Sequence, residues 1–125
     1  MELNYDDFLK KKIKEIDSSL KCQCVDMFDL IGSVRDRFSS PYISNSLADA
    51  DVINELWSTL LRVFLYSNEY GNKFDSIITM SEIFLYSKRV GVKLNCNELE
   101  RWRKEHDETN STEEILECID DMLLN

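Results

Sequence analysis

Residues 52–66 read VINELWSTLLRVFLY, and the fold turns on how that run is wound. Nine of the fifteen are apolar: Val52, Ile53, Leu56, Trp57, Leu60, Leu61, Val63, Phe64 and Leu65. At about 3.6 residues per turn, Glu55, Ser58, Thr59, Arg62 and Tyr66 fall on one narrow stripe, continued by Asp51 and Glu69. A helix with only about a third of its circumference polar lies mostly inside a protein. The run is also shorter than the roughly 20 apolar residues that cross a bilayer. It is therefore expected to be the central helix, about 48–69, of an all-α bundle of about six helices.

Composition agrees with that expectation. A chain of 125 residues has room for one domain, 1–125, around one core. One Pro and three Gly are too few for a sheet-rich fold, which needs turn residues about every 8–12 positions. The opening residues MELNYDDFLKKK contain no apolar stretch of the kind a secretory signal carries. Cys22, Cys24, Cys96 and Cys118 then read as reduced thiols of a cytoplasmic protein. Cys22-x-Cys24 lacks the spacer of most structural zinc pairs, so no metal or other cofactor is expected.

Outward from the central run, a first helix is expected from an Asn4 cap, with Asp6 and Asp7 in its first turn. Tyr5, Phe8, Leu9, Ile13, Ile16 and Leu20 would face inward, and Lys10, Lys11, Lys12 and Lys14 outward. A second helix, about 23–38, carries Cys24, Met27, Phe28, Ile31, Val34 and Phe38, with Gly32 suggesting a close helix contact. The loop SSPYISNS, 39–46, would tuck Tyr42 and Ile43 under the bundle, and Ser46 with Asp49 would cap the central helix.

An echo at an offset of 20 sets the next boundaries. Phe64-Leu65-Tyr66-Ser67 before Gly71 repeats as Phe84-Leu85-Tyr86-Ser87 before Gly91, which reads as one helix stop used twice. The central helix would then end near Glu69. A fourth would run over about 72–89 with Phe74, Ile77, Ile78, Ser81, Phe84, Leu85 and Lys88 inward. Asn95 and Glu98 open a short polar helix to about 108, with Leu99 and Trp102 inward. Ser111 and Glu114 form a capping box before Ile115, Leu116, Ile119, Met122 and Leu123.

Charge is distributed unevenly along the chain. The net charge is −9, yet residues 1–104 hold all 15 Lys and Arg against 16 acids. Residues 105–125 hold the other eight acids and no Lys or Arg. Glu113 and Glu117, and Glu117 with Asp120 and Asp121, are like-charge neighbours one turn apart, and Asp120 and Asp121 sit near the negative end of the helix dipole. A surface tuned for stability interleaves its signs. Asp107, Glu108, Glu113, Glu114, Glu117, Asp120 and Asp121 are therefore the candidate partner-binding residues.

Enzymatic chemistry is not expected. His106, the sole histidine, lies amid Glu105, Asp107 and Glu108, and no nucleophile elbow, phosphate-cradling Gly loop or H-E-x-x-H pattern occurs. The reading is a small acidic helical protein-binding protein, of the immunity or antitoxin kind. It would neutralise a basic toxin, such as a nuclease, by stoichiometric binding through its acidic end. Residues 81–104 offer an alternative, a helix-turn-helix-like DNA reader with Lys88, Arg89, Lys93, Arg101, Arg103 and Lys104. Against it, the apolar positions after Gly91 fall about two residues late for that motif, and the acids that follow repel phosphates. A third reading is a helical adaptor that takes a partner's amphipathic helix beside the central one. A basic protein partner is thus favoured, nucleic acid is disfavoured, and no membrane contact is expected.

Overall fold

The computed structural model describes residues 6–22, 26–38, 48–109 and 111–124. These form six helices: α1 (Asp6–Cys22), α2 (Met27–Phe38), α3 (Ala50–Tyr66), α4 (Tyr70–Val90), α5 (Asn97–Glu105) and α6 (Glu113–Leu124). Among the described residues there is no strand, and the fold is an all-α bundle. The chain's most apolar helix, α3, packs against α1 and α4; α2 touches both of those, α6 lies on α4, and α5 lies against α6. Ile53, Leu56, Leu60, Val63 and Phe64 are fully buried, and one continuous apolar cluster surrounds them. Trp57 closes the top of that cluster, its indole N–H donating to the Asn95 carbonyl at 3.0 Å.

The polar stripe of α3 faces solvent as expected at Asp51, Glu55, Ser58, Arg62 and Tyr66. Thr59 departs from it and is fully buried. Its hydroxyl donates to the Glu55 carbonyl at 2.9 Å and accepts from Arg62 Nη2 at 3.1 Å. The same guanidinium nitrogen reaches Asp17 of α1 at 3.0 and 3.1 Å. Thr59 is thus roofed by a bridge between two helices, and a satisfied hydroxyl is buried at little cost.

Several boundaries differ from the expected ones. The central helix spans Ala50–Tyr66 rather than about 48–69. Its N-cap position is Asp49, whose side chain makes no capping bond. The expected cap Ser46, and the pair Tyr42 and Ile43, lie outside the described residues, as do Asn4, Tyr5 and Cys24. Asp49 instead donates its backbone N–H to Asp6 Oδ1 at 2.8 Å, which joins the first turns of α1 and α3. A side-chain hydrogen bond with the Asp6 carboxyl, and the charge there, push Asp49 above the usual carboxylate range.

The two copies of the sequence echo end their helices differently. Gly91 sits at φ 82°, and both its N–H and that of Val92 donate to the Ser87 carbonyl at 2.9 Å, a left-handed helix stop. Gly71 lies inside the first turn of α4 and stops nothing. The central helix ends because Ser67 is extended. Ser67 Oγ then accepts the Glu69 N–H at 3.2 Å, and the Lys73 ammonium reaches back to the Phe64 carbonyl at 2.5 Å. Burial holds the Lys73 pKa below its ordinary value.

The inner face of α4 is also rotated from the expected one. Its buried residues are Ser76, Ile77, Thr79, Met80, Ile83, Tyr86 and Ser87, whereas Phe74, Ile78, Ser81 and Phe84 are half-buried and Leu85 and Lys88 exposed. Apolar residues occur nearly all round this helix, so their spacing does not choose a face. Three small polar residues turn inward instead. Ser76 is satisfied by the Asn72 carbonyl at 2.8 Å, while Thr79 Oγ1 and Ser87 Oγ have no hydrogen-bond partner among the described residues.

Helix α2 begins at Met27, after Asp26 Oδ1 accepts the Phe28 N–H at 3.0 Å. Phe28 is 57% exposed and Leu30 takes the buried position instead. Gly32 makes no close contact: a Cβ built there would meet nothing within 4 Å. Leu9, Ile13 and Ile16 of α1 are buried as expected, and Lys10, Lys11 and Lys14 are exposed. Phe8, half-buried, lies under the Arg37 guanidinium of α2 at 4.8 Å.

The two glycines therefore carry opposite predictions, read from urea unfolding midpoints. Gly32→Ala is expected to stabilise the protein by about 0.5–1 kcal/mol, since a helical glycine with room for a methyl only adds unfolded-state entropy. Gly91→Ala is expected to destabilise it by about 1–2 kcal/mol, because φ there lies in the left-handed region. Equal effects of the same sign would contradict this account of the two positions.

Candidate functional site

The acidic end is built on α5, the turn after it, and α6. Leu99 is fully buried, and Trp102 packs edge-on against Phe64 of α3 with centroids 4.8 Å apart. His106 stacks on Trp102 at 4.0 Å and 9°, and its Nδ1–H donates to the Trp102 carbonyl at 2.8 Å. Helix α5 ends at Glu105, short of the expected 108, because the chain turns extended at His106. It starts after Cys96, with Asn95 Oδ1 accepting the Asn97 N–H at 2.9 Å.

Ile115, Ile119 and Met122 of α6 belong to the core, and Leu116 is buried beside the hollow that Arg103 and Asp120 line. Four residues beyond Leu116, one turn along the same flank, comes Asp120. Its carboxylate accepts Arg103 Nε at 2.8 Å and Nη2 at 3.2 Å, a two-pronged bridge from α6 to α5. Arg103 Nη1 also donates to the His106 carbonyl at 2.8 Å, so one guanidinium fixes both the helix pair and the turn. The hydrogen bonds that Arg103 donates to Asp120 hold its pKa above the ordinary value.

This arrangement corrects one expectation. Like-charge crowding without interleaved signs suggests a surface that does nothing for stability, but Asp120 is bonded to Arg103, and Glu114 Oε2 accepts the Tyr70 hydroxyl at 3.1 Å. Asp107 is likewise engaged. Its Oδ1 accepts the Thr109 N–H at 2.9 Å and the Thr109 hydroxyl at 2.5 Å, and those bonds keep its carboxyl below the usual range. Glu114 therefore serves the α4–α6 contact.

The structure gathers five of the seven candidates around one open hollow of about 430 Å³. Asp107, Glu108, Glu113, Glu117 and Asp120 line it, with Arg103 and the apolar Leu116 between them. Asp107, Glu108, Glu113 and Glu117 are exposed, and Asp120 is half-buried in its bridge. Glu114 and Asp121 do not line this hollow; they lie on the other flank of α6, beside Cys118. Burial, then the charges of Asp121 and Glu117, push the Cys118 thiol up. Sequence reading missed Arg103, Tyr70 and Leu116 as members of this region. Arg103 and Asp120 stand 17 positions apart on different helices, and no spacing rule links them.

A second hollow of about 380 Å³ lies where α1 ends, α2 begins and the α3–α4 turn passes. Its two carboxylates are already engaged, Asp26 with the Phe28 N–H and Glu69 with Asn72 Nδ2 at 3.4 Å. Among the described residues no three His, Cys, Asp or Glu side chains converge as metal ligands would, and no helix is long and apolar enough to cross a membrane.

The region 81–104 departs from a helix-turn-helix in two respects. Six residues, 91–96, separate α4 from α5, against the 3–4 residues of about that motif's turn. Helix α5 lies against α6, and among the described residues it makes no backbone approach to α4 within 8 Å. Arg101 is exposed, but Arg103 is held by Asp120.

The bridge between α5 and α6 is testable by a double-mutant cycle on unfolding free energy. Arg103→Ala and Asp120→Ala are each expected to destabilise the protein, and the double variant by less than their sum. Strict additivity would show that the two side chains do not act together. No protein-family model, curated protein or solved structure matches the chain.

Proposed function

We propose that the protein is a stoichiometric binding protein of the immunity or antitoxin kind. Its acidic α5–α6 region would cover a basic partner, such as a toxin nuclease. One observation carries the reading: five carboxylates converge on a single open hollow, in a stretch of chain that contains no lysine beyond Lys104. A lysine or arginine entering that hollow would meet Glu113 and Glu117, one turn apart, with Asp107 and Glu108 lining the same hollow. Leu116 offers an apolar floor for the aliphatic stem. The Arg103–Asp120 bridge holds the two sides at fixed separation, so little ordering would remain to be done on binding.

Charge complementarity of this kind acts first on encounter. An acidic face steers a cationic protein and raises its association rate, most strongly at low ionic strength. The role is one of binding and not of turnover, and the cytoplasm, where unpaired cysteines persist, is the compartment it implies. The DNA-reading alternative gains no support from a connection of six residues and an arginine already bonded to Asp120.

The test uses a variant that leaves the bridge intact. Reversing Asp120 would break its bond to Arg103, so Glu113→Lys and Glu117→Lys are combined instead. The partner is isolated with an N-terminally tagged chain and its association followed by stopped-flow fluorescence. The double variant is expected to associate about tenfold or more slowly at low salt, with the gap closing near 1 M as the charges are screened. An acidic partner, or an association rate indifferent to the reversal, would contradict the proposal.

A further inference from the structure

Helix α1 treats its two kinds of charge differently. Asp6 accepts the Asp49 N–H, Glu15 pairs with Lys12 at 3.8 Å, and Asp17 is bonded to Arg62. Three of its four acids are thus engaged inside the molecule, and Asp7 alone is exposed. Lys10, Lys11, Lys14 and Lys21 are all exposed, and they fall within about 100° of the helix circumference. Lys11, Lys14 and Lys21 have no hydrogen-bond or ion-pair partner among the described residues. Lys14 lies one turn from both Lys10 and Lys11, and like charges at that spacing weaken a helix. Helix α1 exposes no large apolar side chain, since Phe8 lies under Lys12 and Arg37. The stripe therefore offers positive charge alone, and its complement is an acidic surface.

Such a surface exists in the same chain but out of reach. Helices α1, α3, α4 and α2 form a ring in which each packs on the next, so α1 and α4 stand at opposite corners. Of these four, α6 packs on α4 alone, and among the described residues α1 approaches neither α5 nor α6 within 8 Å. The lysine stripe and the acidic end thus lie on opposite sides of the molecule. Their charges nonetheless match in spacing. Glu113 and Glu117 are exposed and four residues apart, as Lys10 and Lys14 are, so both pairs advance about 6 Å along their helices. Asp107 and Glu108 line the hollow on which the two glutamates open.

We infer that the lysine face of α1 docks on the acidic α5–α6 end of a second copy, head to tail. Because the two faces lie on opposite sides, a pair of copies does not close on itself. Each addition leaves one stripe and one acidic end open. The net charge of −9 opposes the approach of two copies, and exposed ion pairs are individually weak. At about 0.05 M salt the Debye length is about 14 Å, so apposed lysines and carboxylates interact while the far sides are largely screened. The contact is weak and reversible, with a Kd on the order of 1 mM, and the chain is monomeric at micromolar concentration. The inference goes beyond the toxin reading and does not depend on it.

Sedimentation equilibrium of the full chain, at concentrations up to about 1 mM and in about 0.05 M or about 0.5 M salt, is the test. At the lower salt the weight-average mass is expected to climb with concentration without levelling at a dimer, and at the higher salt to stay that of a monomer. Lys10→Glu with Lys14→Glu is expected to be monomeric throughout, and so is Glu113→Lys with Glu117→Lys. Mixing the two variants restores association, because the intact stripe of one meets the intact acidic end of the other. Both variants remain net negative, so overall charge does not draw them together. Thermal melts establish that each is folded, and Lys10→Gln with Lys14→Gln replaces the first should reversal unsettle α1. A native chain that is monomeric at the lower salt overturns the inference, while leaving the binding of a basic partner untouched. Association that survives either reversal, or a mixture that stays monomeric, overturns it too.

Discussion

Enclosure of α3 is the constraint from which the rest of the molecule follows. Its apolar residues cover roughly two thirds of its circumference, and exposing even one large side chain there costs about 1.5–3 kcal/mol. Against a total stability of about 5–15 kcal/mol, such a helix must be covered on several sides at once. Helices α1 and α4 provide two walls, the Trp102 side chain of α5 provides part of a third, and α2 fastens the first two together. The polar stripe that remains is closed at Thr59 by the Arg62–Asp17 bridge. Coverage by α4 has its own consequence, because α4 then needs α2 and α6 on its flanks, and α6 brings the carboxylates with it.

The acidic end is consequently neither a loose tail nor a plain solvated face. Three of its carboxylates have internal duties: Asp120 ties α6 to α5, Glu114 meets Tyr70, and Asp107 shapes the turn. Those contacts hold the helix on which the exposed Glu113 and Glu117 stand. Internal bonds at some positions and exposed charge at the next are what a preorganised docking surface requires. The same logic separates residues whose replacement would disturb the fold from those whose replacement would disturb only the proposed recognition.

Much of the fold was legible because several runs had one possible reading. The α3 run, the Leu9–Ile13–Ile16 repeat and the Ile115–Ile119–Met122 repeat each place their apolar residues on one side, and each is buried as expected. Legibility failed where local pattern carried no preference. Helix α4 is apolar nearly all round, and the small residues Ser76, Thr79 and Ser87 settled its inner face, which no hydrophobic period could foresee. Gly71 and Gly91 share a sequence context, yet Ser67 ends the helix before the first of them, and Lys73 reaches back from beyond it to the Phe64 carbonyl. In the candidate site the clustering of acids was visible from composition. The partner of Asp120 was not, since Arg103 reaches it only through the tertiary packing of α5 on α6.

Protection from amide hydrogen exchange on adding the purified partner tests the central claim most directly, because it reports every backbone segment at once. The account predicts slowed exchange in residues 103–121, with α1 and α2 unchanged. Protection confined to α1 and α2, with the α5–α6 region exchanging as fast as in the free protein, would contradict it.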